Sequence, residues 1–331
     1  MLTRYPVDHR NLSDEDHLIM KVLRLYYEHH LTQAEVAGRM GFSRPKVSKL
    51  IAEGRTRGLV KIEIAEPVGD FAPLEIALEN RFGLSEALVV TPADERRATE
   101  MAAGMAGGAL LARICTRATV LGIAWGISLR ALADALPMRA FMCGKLVPLV
   151  GGVGRTEAAL HSNQVCTTLA EKLYVESLDL AAPAIAPSAR SRTELMAIPG
   201  IEDVLAEGAA CDVAVVGIGG ILPTSTMVEA GYFTLEEFLE LEDRGVVGDV
   251  CCHFLDTAGN PCLPGFSERV VGLSLDQLRA IPKVIGIATG ADKAASVAAV
   301  LKGGYLASLI CDSELAYALL AVGQRVRSEY D

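Results

Sequence analysis

Between residues 86 and 322 the chain repeats one pattern: a short apolar run, a glycine or polar break, then a helical stretch. The candidate strands are EALVV (86–90), ATVLGIAW (118–125), GKLVPLV (144–150), LAAPAIA (180–186), DVAVVGI (212–218), VGDVCCHFLD (247–256), VIGIA (284–288) and LASLI (306–310). Helical patterns fall at 95–113, 128–136, 163–174, 201–208, 235–243, 275–280, 292–302 and 313–322. Strands apolar at successive positions are covered on both faces, and strands separated by helices need crossovers. The two together predict a doubly wound, largely parallel sheet. Ligands of such sheets bind at the carboxyl ends of the strands.

The first sixty-odd residues follow a different rule. Leu18, Ile19, Val22, Leu25 and Tyr26 recur at helical spacing after an acidic start, with Ser13 as the expected N-cap. Thr32 with Glu35 three residues on forms a capping box for a second helix, and Gly41 supplies a tight turn. Ser43 caps a third helix, Pro45 sits in its first turn, and Val47, Leu50 and Ile51 make its inner face. The opposite face carries Pro45, Ser48, Lys49 and Ala52, flanked by Arg44 and Lys46, so it is small and basic. GLVKIEIAE (58–66) reads as a short strand or wing.

Charge sharpens this reading. The chain of 331 residues has 31 Lys+Arg against 41 Asp+Glu, a net charge of −10. Such a surface is repelled by phosphates, so a nucleic-acid function requires a local basic patch. From Arg44 to Lys61 there are six basic residues and one acidic, Glu53. A cationic patch on a helix-turn-helix predicts that the third helix enters the major groove. Base contacts are expected from Arg44, Ser48 and Lys49, and phosphate contacts from Thr32, Gln33, Ser43, Lys46 and Arg55. A helical hairpin used only for dimerisation is the competing reading.

The start of the chain has no apolar core of signal-peptide length, and no run reaches the ~18 apolar residues of a membrane helix. A cytoplasmic location without membrane contact is expected. The eight cysteines form no CxxC pair and sit mostly in apolar stretches, which predicts free buried thiols and no metal site; Cys251 and Cys252 would point opposite ways on a strand. No cofactor is expected, because neither LVGGVG nor VVGIGG completes a dinucleotide fingerprint.

Polar residues cluster at the predicted strand ends. Gly126, Ile127 and Ser128 open a helix whose backbone N–H groups can hold an anion or a hydroxyl. Asn163, Asp249, His253 and Lys293 stand near other ends. A carboxylate such as Asp249 accepts two hydroxyl hydrogen bonds, which suits a sugar or polyol. Lys293 opens a helix, where its charge opposes the dipole and calls for an acid or a ligand.

The whole chain resembles the SorC/DeoR-type sugar-responsive transcriptional regulators. The resemblance is carried by LTQAEVAGRMGFSRPKVSKLIAEGRTRGLVKIEI, VLGIAWGISL, LVGGVG, SNQVCTTLAEKL, DVAVVGIGG, GVVGDVCCHFLDTAGNP and the stretch from RVVGLSLDQL to SELAYALL. It implies a winged helix-turn-helix head and a doubly wound α/β effector domain resembling the sugar-phosphate isomerase/CoA-transferase fold. It also implies double-stranded operator DNA and a sugar, polyol or sugar phosphate as partners, and a homo-oligomer, a tetramer in this family. Carried over residue by residue, Gly126, Ile127, Ser128, Asn163, Asp249, His253 with Phe254, and Lys293 line the effector pocket. The chain departs from the pattern at Trp125–Ser128, where phosphate-holding relatives have a Gly-Gly-Thr-Thr-like turn, and at Leu149, where some place an Arg. An unphosphorylated sugar or polyol is therefore as well favoured as a phosphate. The implied domains are 1–65 for DNA binding, 66–83 for a linker and linker helix, and 84–331 for the effector and oligomerisation. The alternative is a sugar-phosphate isomerase or deaminase with an appended helical domain, using Asp249 as base and Lys293 as a Schiff-base amine.

Overall fold

A computed structural model describes residues 14–60, 69–152 and 161–322. The chain divides into two compact units, Met1–Val68 and Gly69–Asp331.

The first unit holds α1 (Asp14–Tyr27), α2 (Gln33–Met40) and α3 (Arg44–Thr56). Its core is the apolar stripe expected from spacing: Ile19, Val22, Val36 and Val47 are fully buried, joined by Leu23, Leu50 and Ile51. Each such side chain contributes roughly 1.5–3 kcal/mol by leaving water. Both caps form as the sequence requires. Thr32 and Glu35 close a capping box, Gly41 ends α2 in the left-handed region at φ 69°, and the Ser43 hydroxyl accepts from the Lys46 N–H at 3.4 Å. The expected Ser13 cap and most of the 58–66 wing lie outside the described residues.

The second unit runs α4 (Ala72–Phe82), β1 (Glu86–Val90), α5 (Arg96–Ile114), β2 (Val120–Ile123), α6 (Ile127–Ala135), β3 (Lys145–Pro148), α7 (Ser162–Leu173), β4 (Glu176–Ser177), α8 (Ala189–Met196), α9 (Ile201–Ala209) and β5 (Val213–Gly220). It continues with α10 (Thr226–Glu229), α11 (Leu235–Leu239), β6 (Gly248–Val250), β7 (His253–Leu255), α12 (Pro264–Ser267), α13 (Leu275–Ala280), β8 (Lys283–Ile287), α14 (Ala294–Lys302), β9 (Ser308–Asp312) and α15 (Ser313–Ala321). The parallel sheet has the order β1-β9-β8-β5-β2-β3-β4. From β2 the chain winds outward through β3 to β4, then returns to β5 and winds the other way through β8 and β9. The boundary between β2 and β5 is thus a topological switch point, where an open sheet forms a crevice.

Several details differ from the sequence reading. Residues 180–186 form no strand; their single ladder contact is an antiparallel bridge from Ile185 to Val270. Pro183 removes a donor there, and the strand beside β3 is the short β4 instead. The predicted strand 247–256 is a hairpin. β6 pairs antiparallel with both β7 and the end of β5, and the loop is Cys251–Cys252, both left-handed at φ 48° and 65°. The two thiols therefore do not alternate along a strand. All eight cysteines are free, with Cys115 and Cys262 only partly buried. The helix expected from 292 begins at Ala294, after a 3-10 turn at Ala291–Lys293. The helix assigned to the linker, α4, packs on β1 and α15, with Leu74 and Leu78 in the main core. Among the described residues no helix is long and apolar enough to cross a membrane.

Helices α5 and α6 touch backbone to backbone at Gly104. A Cβ there would stand 2.8 Å from the Ala131 carbonyl oxygen and from the Leu132 nitrogen. Gly104→Ala is expected to cost about 1–3 kcal/mol by forcing the two helices apart. Urea unfolding followed by circular dichroism checks this; an unchanged midpoint would mean the contact is not tight.

Candidate functional site

The switch point opens into a cavity of about 370 Å³. Its floor is the carboxyl end of β5, Gly217 to Gly220, with almost no side chains. The bare strand is required by what lies against it. A Cβ on Gly219 would come within 2.0 Å of Asp249 Oδ1. Gly219 and Asp249 are cross-strand partners in the β5–β6 ladder, so the register itself sets the carboxylate at the floor.

Asp249 is buried, and its pKa is pushed up to about 6. Desolvation is the main cause; the Cys252 backbone N–H and the Lys293 charge act the other way. Lys293 sits at the N-cap of α14 and donates from Nζ to the Ile218 carbonyl at 3.0 Å. Burial and the nearby Arg96 charge lower its pKa, against the attraction of Asp292, Glu100 and Asp249. The loop carrying Lys293 is fixed by Asp312, whose Oδ2 accepts from the Gly290 N–H at 2.5 Å while Oδ1 caps α15 at Leu315.

The facing wall is the start of α6. Gly126, at φ 114°, precedes it and no side chain caps it. The first N–H groups of a helix have no intrahelical partner, and here Gly126, Ile127 and Ser128 at that start line the cavity. Ser128 is buried on this wall beside Ile127, and at the far end of α6 the Lys172 ammonium donates to the carbonyls of Ala133, Asp134 and Leu136.

Gly126, Ile127, Ser128, Asp249 and Lys293 thus line one cavity. Asn163, His253 and Phe254 do not. Asn163 donates to the Leu180 carbonyl at 2.9 Å and accepts from its N–H at 3.0 Å, pinning α7 to the segment after β4. His253 donates from Nε2 to the Leu273 carbonyl, 3.0 Å away, and lines a separate depression. Phe254 is fully buried among Phe233, Phe238 and Phe266. Residues 153–160, the second glycine loop, lie outside the described residues. Sequence reasoning missed Arg96, Arg97 and Glu100 on α5 and the Thr224–Thr226 turn after β5, which also line the cavity. None follows a motif; the turn was signalled only by its Pro-Thr-Ser composition.

In the first unit, Arg44, Lys46, Ser48, Lys49 and Arg55 are exposed along one side of α3, and Thr32, Gln33 and Ser43 stand at the starts of α2 and α3. Lys46 lies 4.1 Å from the Phe42 ring centre, and Arg55 Nε donates to the Tyr27 hydroxyl at 2.7 Å. Arg57 is instead spent on Asp16 and Glu53.

Residues 66–321 match the sugar-binding domain family Sugar-bind, and residues 19–57 match sigma-70 region 4. The chain belongs to the SorC family of sugar-binding transcriptional regulators. It is 31% identical to the sorbitol operon regulator of Klebsiella pneumoniae, over 93% of this chain and 99% of that one. It is 29% identical to the erythritol catabolism regulatory protein EryD of Brucella abortus, over 92% and 97%. The crystal structure of the full-length sorbitol regulator superposes with a TM-score of 0.71 at 32% identity, covering 93% of this chain and 100% of the other. The chain is a DNA-binding regulator with a sugar-responsive domain, not an enzyme.

The raised pKa of Asp249 makes a stability prediction. Its folded value near 6 exceeds the ordinary 3.8, so the native state binds the extra proton and stability falls as pH rises between those values. Asp249→Asn removes that dependence. Its stability advantage over the parent chain should be small near pH 4 and full at pH 7, read from urea midpoints at the two pH values; a constant difference would show that the carboxyl is not desolvated.

Proposed function

We propose that this regulator controls a carbohydrate- or polyol-catabolic operon, and that its effector is an unphosphorylated, hydroxyl-rich small molecule held in the β2–β5 cavity. The observation that carries the reading is Asp249, a buried carboxylate on a side-chain-free floor. It accepts hydroxyl hydrogen bonds and repels a phosphate dianion. Ile127 stands at the α6 start without a hydroxyl, and Leu149 is a core residue rather than a guanidinium. Arg96, whose charge acts on Lys293, is already engaged by Glu100 at 3.4 Å and Asp292 at 3.1 Å. The sorbitol and erythritol regulators among the relatives are named for polyol systems, which agrees with this choice.

In the proposed mechanism α3 enters the major groove. Arg44, Ser48 and Lys49 read bases, while Thr32, Gln33, Ser43, Lys46 and Arg55 hold phosphates. Asp249, Lys293, Gly126, Ile127 and Ser128 bind the effector, with Asn163, His253 and Phe254 bracing the surrounding frame. The protein acts in the cytoplasm as a homotetramer that represses, since symmetric assemblies match paired half-sites. Effector binding shifts the operator equilibrium by its differential affinity for two assembly states.

A thermal-shift screen of sorbitol, erythritol, other polyols, free sugars and their phosphates tests the effector class; stabilisation by phosphates alone would overturn it. Operator binding is measured by fluorescence anisotropy. Asp249→Ala should abolish the effector response and leave DNA affinity unchanged. Arg44→Ala should weaken DNA binding by about 1–3 kcal/mol and leave effector binding intact. Lys46→Ala should lower the slope of log affinity against log salt by roughly 0.9. Equal losses at cognate and random duplexes for Arg44→Ala would remove it from base reading.

A further inference from the structure

Asp249 pairs with Phe254 and Val250 with His253 across the β6–β7 hairpin. Neighbouring residues of a strand project to opposite faces. His253 therefore lies on the face of the hairpin away from the effector cavity, and there it lines a second cavity of about 430 Å³. The walls come from α8 through Arg192, from β7 through His253, and from the α12 region through Cys262 and Ser267.

Three polar groups in this cavity have unused hydrogen-bonding capacity among the described residues. His253 is buried, and its Nε2 lies 3.0 Å from the Leu273 carbonyl, an acceptor, so Nε2 carries the proton. Burial, opposed by the Leu273 hydrogen bond and aided by the Arg192 charge, lowers its pKa and so favours the neutral ring, in which Nδ1 is the acceptor. Arg192 donates through Nε to the Val270 carbonyl at 2.8 Å, and its two terminal nitrogens have no acceptor. The Ser267 hydroxyl is buried without a partner. A bare imidazole nitrogen calls for a hydroxyl donor, and a free guanidinium fork calls for a carboxylate. Exposed Glu268 also lines the cavity, and its negative charge disfavours a dianion.

We propose that this cavity is a second ligand site, for a small monoanionic hydroxy acid whose carboxylate meets Arg192 and whose hydroxyl donates to His253 Nδ1.

The test uses the full chain at neutral pH with glycolate, lactate and glycerate as probes, and acetate as the control without a hydroxyl. Calorimetry should give saturable binding for at least one hydroxy acid, weaker by about tenfold for acetate, since one lost hydrogen bond of about 1.4 kcal/mol corresponds to that factor. Arg192→Lys and His253→Gln should each reduce binding about tenfold, and Lys293→Met should leave it unchanged. In the unsubstituted chain labelled with 15N-histidine, the probe should move the His253 Nδ1 resonance, which tests the contact without a variant. No saturable binding by any of the three acids overturns the proposal. So does binding lost in Lys293→Met but kept in His253→Gln, which would place the anion in the effector cavity. Equal binding of acetate with an unmoved Nδ1 resonance also overturns it.

Discussion

The second unit depends on a strand that ends without side chains. β5 runs eight residues, from Val213 to Gly220, first buried between β2 and β8 and then, at Ile218–Gly220, paired with β6 in the opposite sense. Because Gly219 has no Cβ, the β6 partner can lay a carboxylate directly across it. Removing that carboxylate from water is unfavourable to its charge, and a nearby ammonium recovers only part of the loss. The result is a charged pair held short of full satisfaction, at the one place in the sheet where strand order reverses. In the proposed function, a ligand rich in hydroxyls supplies what the protein leaves out.

The same economy of local structure governs the head. Its three helices are short, and short helices are marginal alone. Caps at Thr32 and Ser43, the left-handed Gly41 and a small continuous core fix them. Arg57 is drawn to Asp16 and Glu53, which ties α3 to α1 and leaves Arg44, Lys46, Lys49 and Arg55 facing solvent. Within an acidic chain these solvent-facing cations give the head its character.

Much of this is legible in the sequence because it is local or periodic. The Thr32–Glu35 capping box, the Gly41 turn, the strand at 86–90 and, shifted by one residue from 284–288, the strand at 283–287 follow from nearest neighbours and burial alone. What escaped is decided by contacts distant in the chain. VGDVCCHFLD has the composition of one strand, but β5 offers an edge only as far as Gly220, and the chain folds back on itself. LAAPAIA is apolar enough for a strand, yet the edge beside β3 was already taken at Glu176–Ser177. Asp249 and Lys293 could be singled out because a charge in an apolar setting is itself a signal. Arg96, Arg97 and Glu100 gave none, since charges on the first turns of a surface helix are commonplace.

The left-handed pair Cys251–Cys252 has one further consequence. A two-residue hairpin loop with positive φ at both positions ordinarily uses Asn and Gly, which adopt it readily. Thiols do so at a conformational disadvantage, and their reward is burial against the core beside Trp125 and Asp249. The hairpin consequently has little tendency to form by itself and exists by virtue of its packing. Any motion that loosens the core beneath it would dissolve Asp249's register and His253's orientation in a single event, so both faces of that small ribbon belong to one cooperative unit.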